Sequence, residues 1–404
     1  MIKIRKSTLV FLVVLGVLAG MSCFYGLQEI GLLSRLGVSG SHTLAGSEYE
    51  EYTHLKETYG KVDELRSYIM DNYYVEVDEE DLDTGILRGV FQGLDDVYSY
   101  YMTPAEYEQQ MASLTGVYSG IGVTISAGES GYVEVVAPTK GSPAEAAGIR
   151  KGDLIIAVDG VEYTAAQLDV CAAEIRGPEG TDVTLTVRRK DEIFDVTITR
   201  TTIVSQTVEY DMLAHAIGYI AVSGFEQKTA EQFEAALADL EKQGARAFIL
   251  DLRDNGGGLV DAAVKIADML LDQGVVAYTE DHDGNKSPYR SKAGKTDLPY
   301  AVLVNDGSAS ASEILAAGIK DNGGGPLVGV TTYGKGIIQT VEQLTDGSGI
   351  KMTILQYFSP NGSVIHKTGI EPDYVVELTE DCFDEEGNLI NDLQLKKAME
   401  LLED

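Results

Sequence analysis

The sequence is poor in several residue types, and each shortage argues against a class of protein. Its three cysteines, at positions 23, 171 and 382, lie too far apart to indicate a disulfide framework or a zinc knuckle. Its five histidines are scattered and none belongs to a His-Glu-x-x-His motif, so a zinc-dependent peptidase is unsupported. Lysine and arginine number 31 against 64 acidic residues. The formal net charge of −33 repels nucleic acid, so we expect no DNA or RNA partner.

Long apolar runs are also scarce, apart from one at the amino terminus. Residues 8–26 carry no charge, are rich in Leu, Val and Phe, and follow a short basic segment. Their length lies between that of a signal peptide and that of a membrane span. We interpret residues 1–28 as a signal anchor, with a cleaved signal peptide as the alternative. In both cases the remainder of the chain is exported, which leaves the protein at the membrane or secreted.

Hydrophobic residues make up 44% of the 404-residue chain. The part that follows the amino-terminal segment is therefore long and apolar enough to build a folded core and several domains. After a predicted linker at 29–49, residues 50–114 have a helical period and many tyrosines. We interpret this aromatic stripe as core, with a dimer seam and thus a homo-oligomer as the alternative. Six of these tyrosines are Tyr73, Tyr74, Tyr98, Tyr100, Tyr101 and Tyr107.

Three further regions follow. Residues 115–202 contain short alternating strands separated by turns. Residues 203–380 alternate strands and helices, which predicts a mostly parallel layered α/β sheet. Residues 381–404 are predicted to form a C-terminal helical tail. We therefore predict a multidomain α/β protein.

The first candidate catalytic residue is Ser310, which stands between an apolar strand at 301–305 and a predicted helix at 313–320. A hydroxyl on a strand-to-helix turn is well placed for nucleophilic attack, and the first helical N–H groups are free to stabilise an oxyanion. Lys335, flanked by glycines, is the candidate base of a Ser-Lys dyad. Ser310 and Glu313 also match a capping box, and capping does not exclude catalysis.

Lys335 can act as a base only when its amine is neutral. No charged residue lies near it in the sequence, which is consistent with burial and a lowered pKa, although a solvated surface lysine remains the alternative. If the segment is helical, Gln339 shares a face with Lys335 and can orient the amine. A rival pair, Ser348 and Lys351, lies on a predicted hairpin strand, where these positions point to opposite faces, so we reject it.

Two loops follow the carboxyl ends of predicted parallel strands, where sites usually form. In the loop at 253–258, three consecutive glycines allow close approach of the backbone to a ligand. The N–H groups of Gly257 and Ala311 are therefore candidate oxyanion donors, with a flexible turn as the alternative. A phosphate-binding loop is not supported, because the Gly-Lys-Thr at 294–296 lacks the first glycine and the following helix.

The strand-rich region at 115–202 resembles a PDZ domain. The run Gly120, Ile121, Gly122 and Val123 stands where that family has its carboxylate-binding glycine loop. In such a domain the C-terminus of a peptide adds as an extra strand beside the second helix, and its carboxylate meets the N–H groups of the loop.

Four motifs together resemble those of the carboxyl-terminal processing (tail-specific) peptidases, which are serine proteases with a PDZ domain before an α/β core. They are Leu-Asp-Leu-Arg-Asp-Asn-x-Gly-Gly at 250–258, Ser-Ala-Ser-Ala-Ser-Glu-Ile at 308–314, Gly-Lys-Gly-x-x-Gln at 334–339, and Gly-Ile-x-Pro-Asp at 369–373. The resemblance covers about residues 50–402. It implies a PDZ domain at 115–202 and a layered catalytic core of the crotonase or ClpP type at 203–380.

The resemblance also implies roles for individual residues. Ser310 is the expected nucleophile, Lys335 the general base and Gln339 the partner of the base. The oxyanion donors are expected at Gly257 and Ala311. A further residue, Arg176, resembles a position that couples ligand binding to activation in some members.

The implied reaction is peptide hydrolysis through an acyl-enzyme, with the C-terminal tail of a protein or peptide substrate held in the PDZ groove. No metal or organic cofactor is expected. Two alternatives remain open at this stage. The first is a catalytically inactive PDZ scaffold that only binds peptides, and the second is a layered α/β enzyme acting on acyl thioesters.

Overall fold

The structure is a computed structural model that describes residues 46–384 and 386–403. The predicted signal anchor or signal peptide at 1–28 lies outside these residues. Within the described part of the chain, no helix has both the length and the apolarity needed to cross a bilayer. The described residues divide into two compact units, with the boundary between residues 86 and 87.

In the first unit, helix α1 (Gly46–Asn72) begins inside the predicted linker. Helix α2 (Glu79–Gln92) begins in the first unit and ends in the second. The helical prediction for this region is confirmed. Arg66 joins the two helices through its ion pair with Asp83 at 2.9 Å. Tyr73 and Tyr74 are 57% and 85% exposed, so the interpretation of these two residues as core was wrong. The dimer seam stays a prediction.

In the second unit, strand β1 (Tyr100–Met102) precedes helix α3 (Pro104–Thr115). Thr103 caps this helix, because its hydroxyl accepts from the backbone of Glu106 while the Glu106 carboxylate accepts from the backbone of Thr103. The helix ends at Gly116, whose φ of 65° is the left-handed conformation that glycine adopts readily.

The strand-rich domain lies between the two strands of a short antiparallel ribbon, β2 and β9. Inside it, β3, β4, β5, β7 and β8 form an antiparallel sheet in that order, with β6 added beside β5. The predicted pairing of residues 182–187 with 194–199 is confirmed by β7 and β8. The elements are β2 (Val117–Gly120), β3 (Val123–Ala127), β4 (Val133–Pro138), α4 (Pro143–Ala146), β5 (Leu154–Val158), β6 (Val161–Glu162), α5 (Leu168–Ile175), β7 (Asp182–Arg189), β8 (Glu192–Thr199) and β9 (Thr201–Val204).

The main sheet has six strands in the order β10-β11-β12-β15-β16-β19. The pairs from β11 to β19 are parallel and β10 is antiparallel, as the alternating pattern predicted. Its strands and helices are β10 (Val208–Met212), β11 (Ile217–Val222), α6 (Thr229–Gln243), β12 (Ala247–Asp251), α7 (Val260–Leu270), β15 (Tyr300–Val304), α8 (Ala311–Asp321), β16 (Leu327–Gly329), β19 (Tyr374–Val375) and α9 (Leu393–Glu403).

Both faces of this sheet are covered, which explains the uninterrupted apolar strands in the sequence. Phe248 and Leu250 of β12 pack in the large cluster that also contains residues of α6, α7 and α8. Ile249, which points the other way, packs in a second cluster with Ala398 of α9. All five residues of β12 and all five of β15 are buried.

A second, antiparallel sheet orders its strands β1-β18-β13-β14, with β17 added beside β18. Its remaining strands are β13 (Gly274–Glu280), β14 (Lys286–Ser291), β17 (Ile337–Gln343) and β18 (Gly349–Phe358). The predicted final hairpin is therefore present and begins at Ile337. Lys335 lies in the loop before it, whereas Gln339 lies in a strand. The prediction that Gln339 and Lys335 share the face of a helix was therefore wrong.

Candidate active site

The turn at Ser310 follows β15 and immediately precedes α8, as predicted. Its backbone has φ 57° and ψ −114°, an unusual conformation for a residue other than glycine. Two neighbouring serines hold the turn: the fully buried Ser308 and Ser312 donate to the backbone carbonyls of Leu252 and Asn255 at 2.7 and 2.8 Å. Their hydroxyls are structural, whereas Ser310 lines an open cleft.

The cleft has a volume of about 730 Å³ and brings the three predicted catalytic residues, Ser310, Lys335 and Gln339, into one wall. Met111 and Leu114 add apolar surface. Other charged side chains also line it: Asp261, Lys265 and Lys351. Lys351 belongs to the rejected Ser348 pair and lies on strand β18, as the rejection assumed. No pattern in the sequence predicts that Lys351 lies in this cleft.

The carboxylate of Glu313 joins the segment that carries Ser310 to the segment that carries Lys335. One oxygen, Oε2, accepts from the backbone N–H groups of Ser310 and Lys335 at 2.9 and 2.8 Å. The other, Oε1, accepts from the Thr332 hydroxyl at 2.6 Å and from Gly334 N–H at 2.7 Å. Glu313 is completely buried, so these four donors replace the solvent that a carboxylate requires.

A second bridge reinforces the first. The buried hydroxyl of Tyr357, on β18, lies 2.9 Å from the carbonyl oxygen of Ser310 and 2.5 Å from that of Lys335. Burial, followed by the charge of Glu313, raises the pKa of Tyr357, so the phenol stays protonated and donates. The separation of the two backbone segments is therefore set by two buried side chains.

The amine of Lys335 is partly buried and faces an aromatic ring. Its Nζ lies 4.3 Å from the centroid of the Tyr98 ring. Among the described residues, no hydrogen bond joins this amine to the Ser310 hydroxyl. Burial lowers the pKa of Lys335 and the positive charge of Lys351 lowers it further, while Asp96 and Glu313 oppose the shift. The net direction is the one a general base requires.

The side chain of Gln339 is held by a network that the sequence did not reveal. Its Nε2 donates to Thr353 Oγ1 at 3.2 Å, and that hydroxyl donates to Asp96 Oδ2 at 2.7 Å. Ser99 also donates to Asp96 Oδ2, at 2.6 Å. Burial alone would raise the pKa of Asp96, but hydrogen bonds from Ser99, Thr353 and a backbone N–H outweigh it and hold the pKa below its ordinary value.

The two candidate oxyanion donors differ in their surroundings. Ala311 is the first residue of α8, where helical N–H groups lack intrahelical partners. Gly257 packs directly against the nucleophile, since a Cβ built on it would lie 2.8 Å from Ser310 Cβ. Its φ of 102° also favours glycine. The Gly257 N–H donates to Asn255 Oδ1 at 2.9 Å in this structure.

The predicted peptide-binding residues line one groove of about 320 Å³ in the strand-rich domain. Gly120, Ile121, Gly122 and Val123 form one side of it, facing helix α5. Arg176, directly after that helix, also lines the groove, with its guanidinium 5.5 Å from the ring centroid of Tyr118. Besides the cation of Arg176, the groove is lined by one acidic side chain, that of Asp169. The fold thus brings residues 120–123 and Arg176 together in one groove.

Neither the cleft nor the groove contains a group of metal-binding side chains. Within residues 46–384 and 386–403, no cluster of three or more His, Cys, Asp or Glu side chains is suited to hold a metal ion.

Sequence models of three known families match successive parts of the chain. The model of peptidase family S41 matches residues 216–376, which contain five of the six strands of the main sheet and most of the residues that line the cleft. A PDZ model matches residues 134–189. The N-terminal domain model of the activating protease CtpB matches residues 17–105.

Individual relatives agree with these matches. The chain is 36% identical to the carboxy-terminal processing protease CtpA of Bacillus subtilis (strain 168), over 85% of this chain and 74% of the relative. It is 41% identical to the carboxyl-terminal-processing protease of a Picosynechococcus species (strain PCC 7002), over 76% of each. A crystal structure of a putative S41 protease from Bacteroides fragilis shares the fold, with a TM-score of 0.52 and 17% identity over 84% of this chain and 96% of the other.

A layered α/β core, a serine on a strand-to-helix turn and a PDZ domain define this molecule as a serine peptidase. The chain belongs to the carboxyl-terminal processing proteases of peptidase family S41. The alternative of an inactive scaffold is not favoured by these likenesses, and the PDZ domain implies that the enzyme binds protein substrates.

Proposed function

We propose that this peptidase cleaves exported proteins with a Ser310–Lys335 dyad after its PDZ domain has captured their C-terminal tails. The observation that carries the proposal is the buried Glu313 carboxylate, whose Oε2 accepts from the backbone of both dyad residues. A single oxygen that fixes both segments makes the relative placement of nucleophile and base a property of the folded core.

In the proposed mechanism, neutral Lys335 takes the proton of the Ser310 hydroxyl as Oγ attacks the scissile carbonyl carbon. The resulting ammonium donates that proton to the departing amine, which leaves an ester on Ser310. Lys335 then removes a proton from the water that attacks this ester and gives it to Ser310 Oγ as the bond from Oγ to the carbonyl carbon breaks and the new carboxyl product leaves. The lysine must first leave the Tyr98 ring, and the flexible stem of a lysine allows that movement.

The negative oxygen of the tetrahedral intermediate would be stabilised by the N–H groups of Ala311 and Gly257. The Ala311 donor belongs to the first turn of α8 and benefits from the positive end of the helix dipole. The Gly257 donor would exchange its Asn255 partner for the oxyanion. Such an exchange makes this donor dependent on substrate binding.

The proposed capture site is the groove of the PDZ domain. The substrate C-terminus would add beside β3, with its carboxylate at the backbone of residues 120–123 and near the guanidinium of Arg176. Arg176 would then report binding to the ribbon β2–β9, because it packs on Tyr118 of β2.

The decisive experiment compares four purified variants on casein and on a peptide with an apolar C-terminal tail. Ser310→Ala and Lys335→Ala should each lose cleavage and labelling by a serine-reactive fluorophosphonate. Ser363→Ala and Lys242→Ala make the same changes at exposed positions outside the cleft and should retain both. Unchanged cleavage by Ser310→Ala or by Lys335→Ala would refute the dyad.

We further propose that residues 1–28 direct the enzyme out of the cytoplasm, as a membrane anchor, and that the chain forms homo-oligomers. Both rest on the sequence alone. Protease accessibility and membrane fractionation of intact cells test the first, and light scattering of the purified protein tests the second. The domain boundaries proposed from the sequence, at 115–202 for the PDZ domain and 203–380 for the core, are tested by limited proteolysis.

A further inference from the structure

We propose that Asp96 is a positioning residue for catalysis, which acts through Thr353 to fix the orientation of the Gln339 amide toward Lys335. This inference rests on the proposed role of Lys335 as the base. It assigns a catalytic task to the segment before β1, far from the motifs that identify the family.

The role of Asp96 in hydrogen bonding is fixed by its charge. An ionised carboxylate only accepts hydrogen bonds. Oδ1 of Asp96 accepts from the backbone N–H of Tyr98 at 2.9 Å, and Oδ2 accepts from the hydroxyls of Ser99 and Thr353 at 2.6 and 2.7 Å. These contacts also stabilise the ionised form.

The direction of the next bond follows from the first. The Thr353 hydroxyl has one proton, and that proton is committed to Asp96. Its oxygen can therefore only accept from Gln339, so it selects the NH2 end of the amide, at 3.2 Å. The carbonyl end of the amide, Oε1, is left for another donor.

That donor is the amine of Lys335. Gln339 and Lys335 line the same cleft, and an amine offers N–H groups in both its neutral and its charged form. An amide oxygen facing the amine can orient its lone pair toward Ser310, whereas an amide NH2 in the same place would compete for that lone pair. We call the hydrogen bonds from Gln339 to Thr353 and from Thr353 to Asp96 the relay. The direction of these bonds decides whether Gln339 assists the base.

The relay is held by the backbone as well as by side chains. Thr353 on β18 pairs directly with Gln339 on β17 in the strand register. The backbone N–H of Thr353 donates to Ser99 Oγ at 2.9 Å, and Ser99 is buried. Asp96 therefore contacts Thr353 directly through the hydroxyl and indirectly through Ser99, which restricts the positions that its carboxylate can take.

The substitution Asp96→Asn tests the polarity. An asparagine can turn its NH2 toward Thr353, whose hydroxyl then accepts that bond and donates to Gln339. The Gln339 amide rotates to receive it and presents its NH2 to Lys335. We expect kcat to fall between about 10- and 100-fold with KM within about twofold, because only the base is affected.

The pH profile separates this effect from simple structural damage. The groups that surround the Lys335 amine in the cleft and behind it are Asp96, Tyr98, Asp261, Lys265, Glu313, Tyr333 and Lys351. The neutral amine is the active form, so kcat/KM rises with pH through its pKa. Asp96→Asn removes a nearby negative charge and turns an amide donor toward the amine. Both changes disfavour the ammonium, so the acid limb should move to lower pH while the plateau falls.

A second pair of variants covers the case in which Asp96→Asn does not fold. Thr353→Val removes the hydroxyl at nearly constant shape and should lower kcat as Asp96→Asn does. Thr353→Ser keeps the hydroxyl and should retain at least half of the wild-type kcat. The double variant Asp96→Asn with Thr353→Val should lose no more than either single change, because the residues act as one unit.

The matched control is Asp95→Asn, the same change at an exposed neighbour, which should leave kcat and the acid limb unchanged. Wild-type kcat in Asp96→Asn, or equal losses in Thr353→Ser and Thr353→Val, would overturn the inference. A loss in Asp96→Asn without movement of the acid limb would also overturn it. If Lys335→Ala keeps its activity, the proposed dyad itself fails. Inactive Lys335→Ala beside fully active Asp96→Asn would reject the relay alone.

Discussion

The substitution Glu313→Gln tests whether one buried carboxylate holds the nucleophile and the base in place. Glutamine has nearly the same shape, but only one of its two terminal atoms can accept hydrogen bonds. Glu313 now receives two donors at each oxygen, from Ser310 and Lys335 on one and from Thr332 and Gly334 on the other. The NH2 group of glutamine must therefore face one of these pairs.

The cost follows from the number of donors that lose their acceptor. A hydrogen bond to a charged group contributes about 1.5–3 kcal/mol, and an unpaired buried donor costs a similar amount. If the NH2 faces Ser310 and Lys335, two such losses lower the free energy of unfolding by about 3–6 kcal/mol. If it faces Thr332, whose hydroxyl can turn and accept, only Gly334 loses its acceptor and the decrease is about 1.5–3 kcal/mol. Since a domain is stable by roughly 5–15 kcal/mol, the variant should fold with a clearly reduced denaturation midpoint.

The catalytic result has a signature of its own. The charge of Glu313 raises the pKa of Lys335, so removing it lowers that pKa. Because kcat/KM rises as the amine loses its proton, the acid limb of the profile should move to lower pH. At the same time the plateau should fall at least tenfold, since Ser310 and Lys335 no longer share a fixed acceptor.

The measurements are urea denaturation followed by circular dichroism and a kcat/KM profile on a tailed peptide. Glu234→Gln, the same change at an exposed position of α6, should alter the free energy of unfolding by less than about 0.5 kcal/mol. An unfolding free energy within 1 kcal/mol of wild type, together with an unshifted acid limb, would refute the bridging role of this carboxylate.

Three further changes probe the charge, the oxyanion loop and the buried ion pair. Lys351→Met removes a positive charge that lowers the pKa of Lys335, so the acid limb of kcat/KM should move to higher pH. Gly257→Ala places a Cβ against Ser310 and should lower kcat about 100-fold or more in a peptide assay. Arg253→Met leaves the buried Asp251, at 2.6 Å, and the partly buried Asp392, at 2.9 Å, without a cation. It should lower the free energy of unfolding by about 3–5 kcal/mol in urea.

Each of these changes has a matched control. Lys351→Arg keeps the charge and should leave the acid limb in place. Gly294→Ala has a similar positive φ of 122° but meets no atom within 4 Å, so it separates backbone strain from the contact at Gly257. Arg290→Met removes an exposed arginine and should be nearly neutral. If a control changes as much as its partner, the stated reason for that prediction is wrong.

The sequence predicted the parts of the site that are local. The strand, the turn at Ser310 and the helix after it are consecutive in the chain, and their order is visible from apolar runs and a capping pattern. The alternation of strands and helices in the main sheet was visible for the same reason. The direction of the Lys335 pKa shift was also expected, since the neighbouring residues carry no charge.

The parts that join distant segments could not be predicted in this way. Gln339 was placed on a helical face with Lys335, but the register of β17 against β18 decides its position instead. Asp96 meets Thr353 across 257 positions of the chain, and no local pattern records such a contact. Lys351 was rightly rejected as half of a local pair, yet the same strand carries its side chain into the cleft.

Glu313 shows how a local and a distant function can share one residue. The spacing of three between Ser310 and Glu313 is that of a capping box, and its backbone contact at 2.9 Å follows from helix geometry. Its contacts with Thr332, Gly334 and Lys335 depend on β16 lying beside β15 in the sheet. The contact between Ser310 and Glu313 is thus fixed by the pitch of a helix, whereas the contacts of Glu313 with the segment 332–335 are fixed by strand order. Lys335 is therefore positioned by the fold and Ser310 by its own turn, and the buried carboxylate of Glu313 is the group that couples them.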